Sequence, residues 1–282
     1  MLPSSLFALA VDQPEAMSTT KLIVFLAVAG ALIAFAFWLI ASGKKEADSL
    51  LDRGLRLSIA GQYAEAEQCY REGLADESKL KPRLRAELLI CLGDALMDQD
   101  RFPESRPFLE EALAIGDPSG SCRGSLADWL LLQRSDPPKA LELANQTIQT
   151  RTGGLGEITS AGRIGGHLAS IVRADAWARR AWALAMLARQ AESQESIDFA
   201  LKLAGPSLAA LSRYQGKGSA LMATTLSADR TYIYWHTGMA LLAMGQIGKA
   251  QEHFKIASDA SPRTKCAARC RQQLERLGTF GG

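Results

Sequence analysis

The chain carries almost no net charge. Its 32 lysines and arginines stand against 30 aspartates and glutamates, leaving +2 over 282 residues. That balance offers no electrostatic footprint for a phosphate backbone, so nucleic acid is not an expected partner. Cysteine is scarce and odd in number. Cys69, Cys91, Cys122, Cys266 and Cys270 have no framework spacing, which argues against a disulfide-built exterior and for a reducing compartment. The three histidines, His167, His236 and His253, are scattered, and the chain has no His-Glu-x-x-His, no Gly-x-Ser-x-Gly elbow and no paired-acid motif. No catalytic residue is assigned and an enzyme is not expected. Cys266 and Cys270 would supply only two of the roughly four ligands that zinc needs. No metal and no cofactor is expected.

Nucleotide-binding signatures are also missing. Residues 151–166 hold six glycines without Walker spacing or a flanking strand, and in Gln215-Gly216-Lys217-Gly218-Ser219 a glycine stands where Ser or Thr is required. The stretch 151–173 reads instead as a glycine-rich joint.

One long apolar run is present. Leu22 to Ala41 has no polar side chain, and at about 1.5 Å per residue it reaches about 30 Å, the thickness of a bilayer core. The run is too long for the core of a signal peptide, and Lys21 and Lys44-Lys45 bracket it. A single-pass transmembrane helix over 22–42 is expected, behind a short tail, 1–20, whose true start could be Met17. The excess of Lys44, Lys45, Arg53 and Arg56 over Lys21 predicts a cell (inner) membrane protein with its long C-terminal part in the cytoplasm. Within the run, Ala27 and Ala31, and Gly30 and Ala34, are spaced for close helix approach. These four form a possible homodimer face.

Past the anchor, helical apolar spacing is punctuated by turn residues. Leu50, Leu51, Leu55 and Leu57 precede Gly61-Gln62-Tyr63, and Ala66, Tyr70 and Leu74 follow. The stretch Leu88 to Leu96, the turn at Asp98 to Phe102, and Phe108, Leu109, Ala112 and Leu113 make a second hairpin. In the last third, Tyr234, Gly238, Leu241, Gly245, Ala250, Phe254 and Pro262 fall at matching offsets.

In these positions the chain resembles the tetratricopeptide repeat family, strongly in 231–262, well in 47–78 and 86–118 (together 47–118), and weakly in 121–150 and 174–204, within segments 119–150 and 174–230, the latter also holding connecting helices. In the weak units Asp128 stands where the family has glycine, and Ser193 where it has alanine. The resemblance implies an all-α fold: a transmembrane helix, then a solenoid of helical hairpins, ended by a capping helix and tail at 263–282. It also implies a concave face of first helices that binds protein. Carried onto this sequence, that groove has Asp48, Leu51, Leu55 and Ser58, then Glu87, Ile90, Asp94 and Met97. It continues with Asp175, Ala178, Trp182 and Ala185, and with Tyr232, Trp235, Met239 and Leu242. Leu51 and Leu55 do not suit a clamp for acidic tails. Trp182, Tyr232, Trp235, Met239 and Leu242 are the expected protein-binding residues, forming an exposed, apolar inner face.

The function expected from these readings is a membrane-anchored scaffold that binds protein or peptide partners and works in assembly or regulation of a membrane complex. Two alternatives stand beside it, a periplasm-facing envelope or cytochrome assembly factor and an enzyme using the atypical middle segment.

Overall fold

A computed structural model of the chain describes residues 49–75, 80–116, 120–149, 162–212 and 220–279, with backbone alone at 162–169, 211–212, 220–227 and 279. These residues belong to one compact unit, 47–282. Every regular element among them is helical: α1 (49–59), α2 (Tyr63–Leu74), α3 (Pro82–Asp98), α4 (Phe102–Ile115), α5 (Ser121–Leu132), α6 (Pro137–Gln149), α7 (Gly162–Met186), α8 (Gln190–Ser212), α9 (Ala220–Ala243), α10 (Ile247–Ala260) and α11 (Lys265–Thr279). The expected anchor, Leu22 to Ala41, and the Ala27, Gly30, Ala31, Ala34 face lie outside the described residues. No described helix is long and apolar enough to cross a membrane.

The first ten helices pair into five hairpins that share one turn. In each, the chain leaves the first helix through a residue of positive φ: Gly61 at 81°, Asp100 at 60°, Arg134 at 51°, Ala188 at 59° and Gly245 at 75°. The next amide then reaches back to a carbonyl five residues earlier, as in Gln62 to Leu57, Arg101 to Leu96, Ser135 to Leu130, Arg189 to Leu184 and Gln246 to Leu241, at 2.9–3.1 Å. This is the helix stop in which a left-handed residue lets orphan carbonyls find donors. Only two of the five turns use glycine, which is why composition alone reveals the repeat in some hairpins and hides it in others.

Packing inside each hairpin repeats as well. A Cβ added at Gly93 would lie 2.6 Å from Leu109, and one at Gly238 would lie 2.7 Å from Phe254, so the small residue is what lets the two helices cross closely. Gly54 meets Tyr70 in the same way. The third hairpin reverses the sizes, with Asp128 on the first helix and Ala144 on the second, both buried. On the second helices Ala66, Ser105, Ala140, Ser193 and Ala250 are all 0% exposed at the equivalent slot. The Ser193 hydroxyl donates to the Ala181 carbonyl at 2.8 Å, so a serine is tolerated where alanine is usual because its one donor is satisfied.

The helix α7 starts at Gly162, inside the stretch expected to be a joint over 151–173, and α7, α8 and α9 run to 25, 23 and 24 residues. The added turn of α7 is anchored by Ile171 and Ala174, which pack with Ala204 and Ile233.

The final helix does more than shield an end. Cys266, Ala267 and Cys270 are buried, while the other side of α11 reaches back to the first two hairpins. The Lys265 amide donates to the Tyr63 hydroxyl at 2.5 Å, Lys265 Nζ pairs with Asp100 at 2.7 Å, and Arg269 donates to the Met97 carbonyl at 2.9 Å. A side chain at Gly61 would strike the Arg263 carbonyl at 2.8 Å. The last helix therefore packs back against the first two hairpins, and the concave face lines a partly open cavity.

Candidate functional site

A cavity of about 280 Å³ lies on this face, lined from α3, α5, α6, α7, α9 and α11. Its walls are charged. Asp94 and Asp98 come from α3, Asp128 from α5, Asp175 and Arg179 from α7, Asp229 and His236 from α9, and Arg269 from α11. Apart from α11, the helices that carry them are the inner members of successive hairpins, so each residue's place follows from its slot in the repeat.

Asp128 is the node. Arg179 donates to both its oxygens, Nε to Oδ1 at 2.7 Å and Nη2 to Oδ2 at 2.8 Å, the forked geometry that makes an arginine–carboxylate pair strong. His236 Nε2 lies 3.0 Å from Asp128 Oδ1, and its Nδ1 lies 2.8 Å from Asp175 Oδ1. Arg179 Nη1 also reaches Asp175 at 2.5 Å. Burial alone would strip the proton from the imidazole, but the two carboxylates outweigh it and push the His236 pKa up to about 9. Burial likewise works against the Asp128 charge, and Arg179 with His236 overcomes it and holds that carboxyl well below its ordinary value. Three hairpins are thus tied together by a charged cluster whose members are paired, the condition under which buried charge is tolerated.

Other carboxyls in the wall are less well served. Asp94 has a hydrogen bond from Ser125, yet burial, with Asp98 and Asp128 nearby, pushes its pKa up to about 7. Burial raises Asp98 to about 6 against the pull of Arg269, whose nearest nitrogen is 3.8 Å away. Asp229 is raised to about 7 by burial and by Asp175.

A second cavity of about 140 Å³ shares Asp94, Asp98 and Tyr232 with the first and continues along Leu55, Ile59, Tyr63, Tyr70, Ala95 and Ala228. The inner surface therefore runs from a charged chamber to one walled by aliphatic and phenolic side chains.

Of the expected groove residues, the structure brings Asp94, Met97, Asp175, Tyr232 and Trp235 to the larger cavity and Leu55 and Ser58 to the smaller one. Trp182 and Trp235 are not exposed, at 3% and 4%. They meet edge to face at 6.3 Å, and Trp235 packs on Phe254 at 5.6 Å, so burial of the large indoles in the core wins over exposure. Met239 and Leu242 are half-buried against that core and away from the cavity wall. Tyr232 remains partly open on the wall. The expectation of an apolar inner face holds only in part, because aspartates share the cavity wall with Met97, Leu132, Ile171, Val172, Tyr232 and Trp235. Sequence reasoning missed Asp128, Arg179, His236, Asp229 and Arg269. One signal was available: an aspartate in the slot that elsewhere demands a small residue.

Among the described residues, no three His, Cys, Asp or Glu side chains are grouped to hold a metal ion. Cys266 borders the cavity, but burial and a hydrogen bond with Cys270 push its thiol well above the usual range, leaving little thiolate to act as nucleophile or ligand.

Residues 85–116, which span most of α3 and all of α4, match the tetratricopeptide repeat family. The match covers that one repeat, and such a repeat suggests a scaffold for protein–protein interaction. No curated protein matches the chain.

Proposed function

We propose that the chain is a protein-binding scaffold whose partner enters through the concave face of the helical hairpins. The observation that carries this reading is the cavity of about 280 Å³ walled by the inner helices of four successive hairpins, close to the lower end of the roughly 300–1,000 Å³ typical of ligand sites. Polar and phenolic groups converge there, which gives specificity a physical basis. The run Leu22 to Ala41 supports a membrane-held version of the same scaffold, with the hairpins on the cytoplasmic side and a task in assembling or regulating a membrane complex.

The test is photocrosslinking in cells from the full-length chain with a photoreactive residue replacing Tyr232, compared with one replacing Phe199, which is 42% exposed on α8. Capture of a defined protein from position 232 and not from 199 is expected. Capture from 199 alone, or from neither, would remove the groove as the binding surface.

A further inference from the structure

We propose that the polar seam between α11 and the first two hairpins is a latch, and that its opening admits the partner to the concave face. This rests on the groove reading above and names how entry to that groove is controlled.

The seam joins two parts of the solenoid that are each held firmly. The third, fourth and fifth hairpins share the charged cluster, in which Asp128 of α5 meets Arg179 of α7 and His236 of α9. The last helix belongs with them. Its Cys266, Ala267 and Cys270 are buried, and Leu274 and Leu277 pack on the core that holds Ala250, Phe254 and Ala257 of α10. The first two hairpins have a core of their own, with Ala66, Tyr70, Leu88, Leu92 and Leu96. The two parts pack together where α4 meets α5, with the Trp129 indole donating to the Phe102 carbonyl at 2.8 Å. That joint is the pivot.

Across the seam the ties are of another kind. Asp100, in the left-handed turn of the second hairpin at φ 60°, takes two cations of α11, Lys265 Nζ at 2.7 Å and Arg269 Nη2 at 3.4 Å. Arg269 also donates to the Met97 carbonyl at 2.9 Å, reaches Asp98 at 3.8 Å and lies over the Phe102 ring. The Asp100 side chain is 59% exposed, and ion pairs so open to water hold weakly and are screened by salt. Such contacts suit a latch better than a permanent joint.

The latch lies on the cavity wall. Arg269 and Cys266 line the larger cavity together with Met97 and Asp98, and Thr264 lines the smaller one. With the latch fastened, the larger cavity measures about 280 Å³, the size of a small-molecule site. Parting α11 from α3 widens it to take a length of partner chain.

The experiment attaches donor and acceptor dyes to the full-length chain in detergent through noncanonical residues replacing Glu65 on α2 and Gln272 on α11, both exposed. Energy transfer is expected to fall as NaCl is raised from about 0.05 M to about 0.5 M. It is expected to be low already at the lower salt in Asp100→Asn, whose asparagine still suits a left-handed turn. Asp52→Asn, which removes the Asp52–Arg56 pair within α1 instead, keeps the wild-type transfer. Photocrosslinking from position 232 is expected to rise at least twofold in Asp100→Asn. Transfer unmoved by salt or by Asp100→Asn, or lowered equally by Asp52→Asn, overturns the latch. Transfer that falls while the yield at position 232 stays at its wild-type value leaves the groove standing and overturns control of entry. If position 232 crosslinks nothing in either protein, the groove reading itself falls, and the inference with it.

Discussion

Asp128 stands where the neighbouring hairpins place glycine or alanine, and its carboxylate lies 3.0 Å from Nε2 of His236, two hairpins further along the chain. The pair joins α5 to α9 across the cavity, and Arg179 of α7 closes the triangle. Asp128→Asn would leave a buried guanidinium and imidazolium short of a partner, which costs about 3–5 kcal/mol. Urea denaturation at neutral pH measures that loss, and a change below about 1 kcal/mol would show the cluster to be incidental. The pH dependence has a defined sign. His236 is raised from 6.5 to about 9, so its contribution is complete below 6.5 and is lost as the pH climbs through about 9. Asp128 is depressed, so its contribution is present above its ordinary 3.8 and is lost as the pH falls below it. Wild-type stability from this cluster is greatest between those limits, and Asp128→Asn flattens both edges.

Asp229 works in the opposite direction. Its folded pKa is raised from 3.8 to about 7, so the protonated form favours the fold and the penalty grows as the pH rises from 3.8 through about 7. Asp229→Asn is therefore expected to stabilise the protein by about 1–3 kcal/mol at pH 8 and to have little effect near pH 4. Paired denaturation curves at the two pH values check it. Stabilisation that is equal at both would mean that charge is not the cause.

Trp235 is a poor probe of partner binding. At 4% exposure and packed on Phe254 and Trp182, its replacement by alanine opens a hole in the core at a cost of about 3–5 kcal/mol. Thermal unfolding should show that loss without any partner present. A near-native melting temperature for Trp235→Ala would return the indole to the list of surface contacts.

The left-handed turns give a prediction of gain. Ala188 sits at φ 59°, where a Cβ costs roughly 1–2 kcal/mol and glycine gives back part of the difference through its larger unfolded freedom, about 0.5–1 kcal/mol. Ala188→Gly is expected to raise stability by about 0.5–1 kcal/mol, read from the urea midpoint at unchanged slope. A lower midpoint would mean that the turn is held by something other than its backbone.

Much of the fold was legible because the repeat writes itself in small residues. Gly54, Gly93, Gly238, Ala66 and Ala250 mark close helix crossings in the sequence, and the structure uses each of them so. The turns at Asp100, Arg134 and Ala188 were harder to read because tertiary packing holds a left-handed conformation that those residues do not advertise. The site was less legible. Asp94, Asp175 and Tyr232 were placed on the inner face by register, but the register cannot show that α11 reaches back to the first two hairpins. Nor can it show that Trp182 and Trp235 are buried, Trp235 at the edge of the cavity. Asp128, Arg179 and His236 come together across 109 residues of chain, and no local pattern links an aspartate in one hairpin to a histidine two hairpins later.

The most direct measurement is hydroxyl-radical footprinting of the full-length chain with and without the partner captured from position 232. Tyr63 and Tyr232 line the inner cavities, whereas Phe199 and Ile247 are exposed at 42% and 49%. Binding through the concave face predicts that labelling of Tyr63 and Tyr232 falls while Phe199 and Ile247 are unchanged. Protection of Phe199 or Ile247 with no change at the two tyrosines would contradict it.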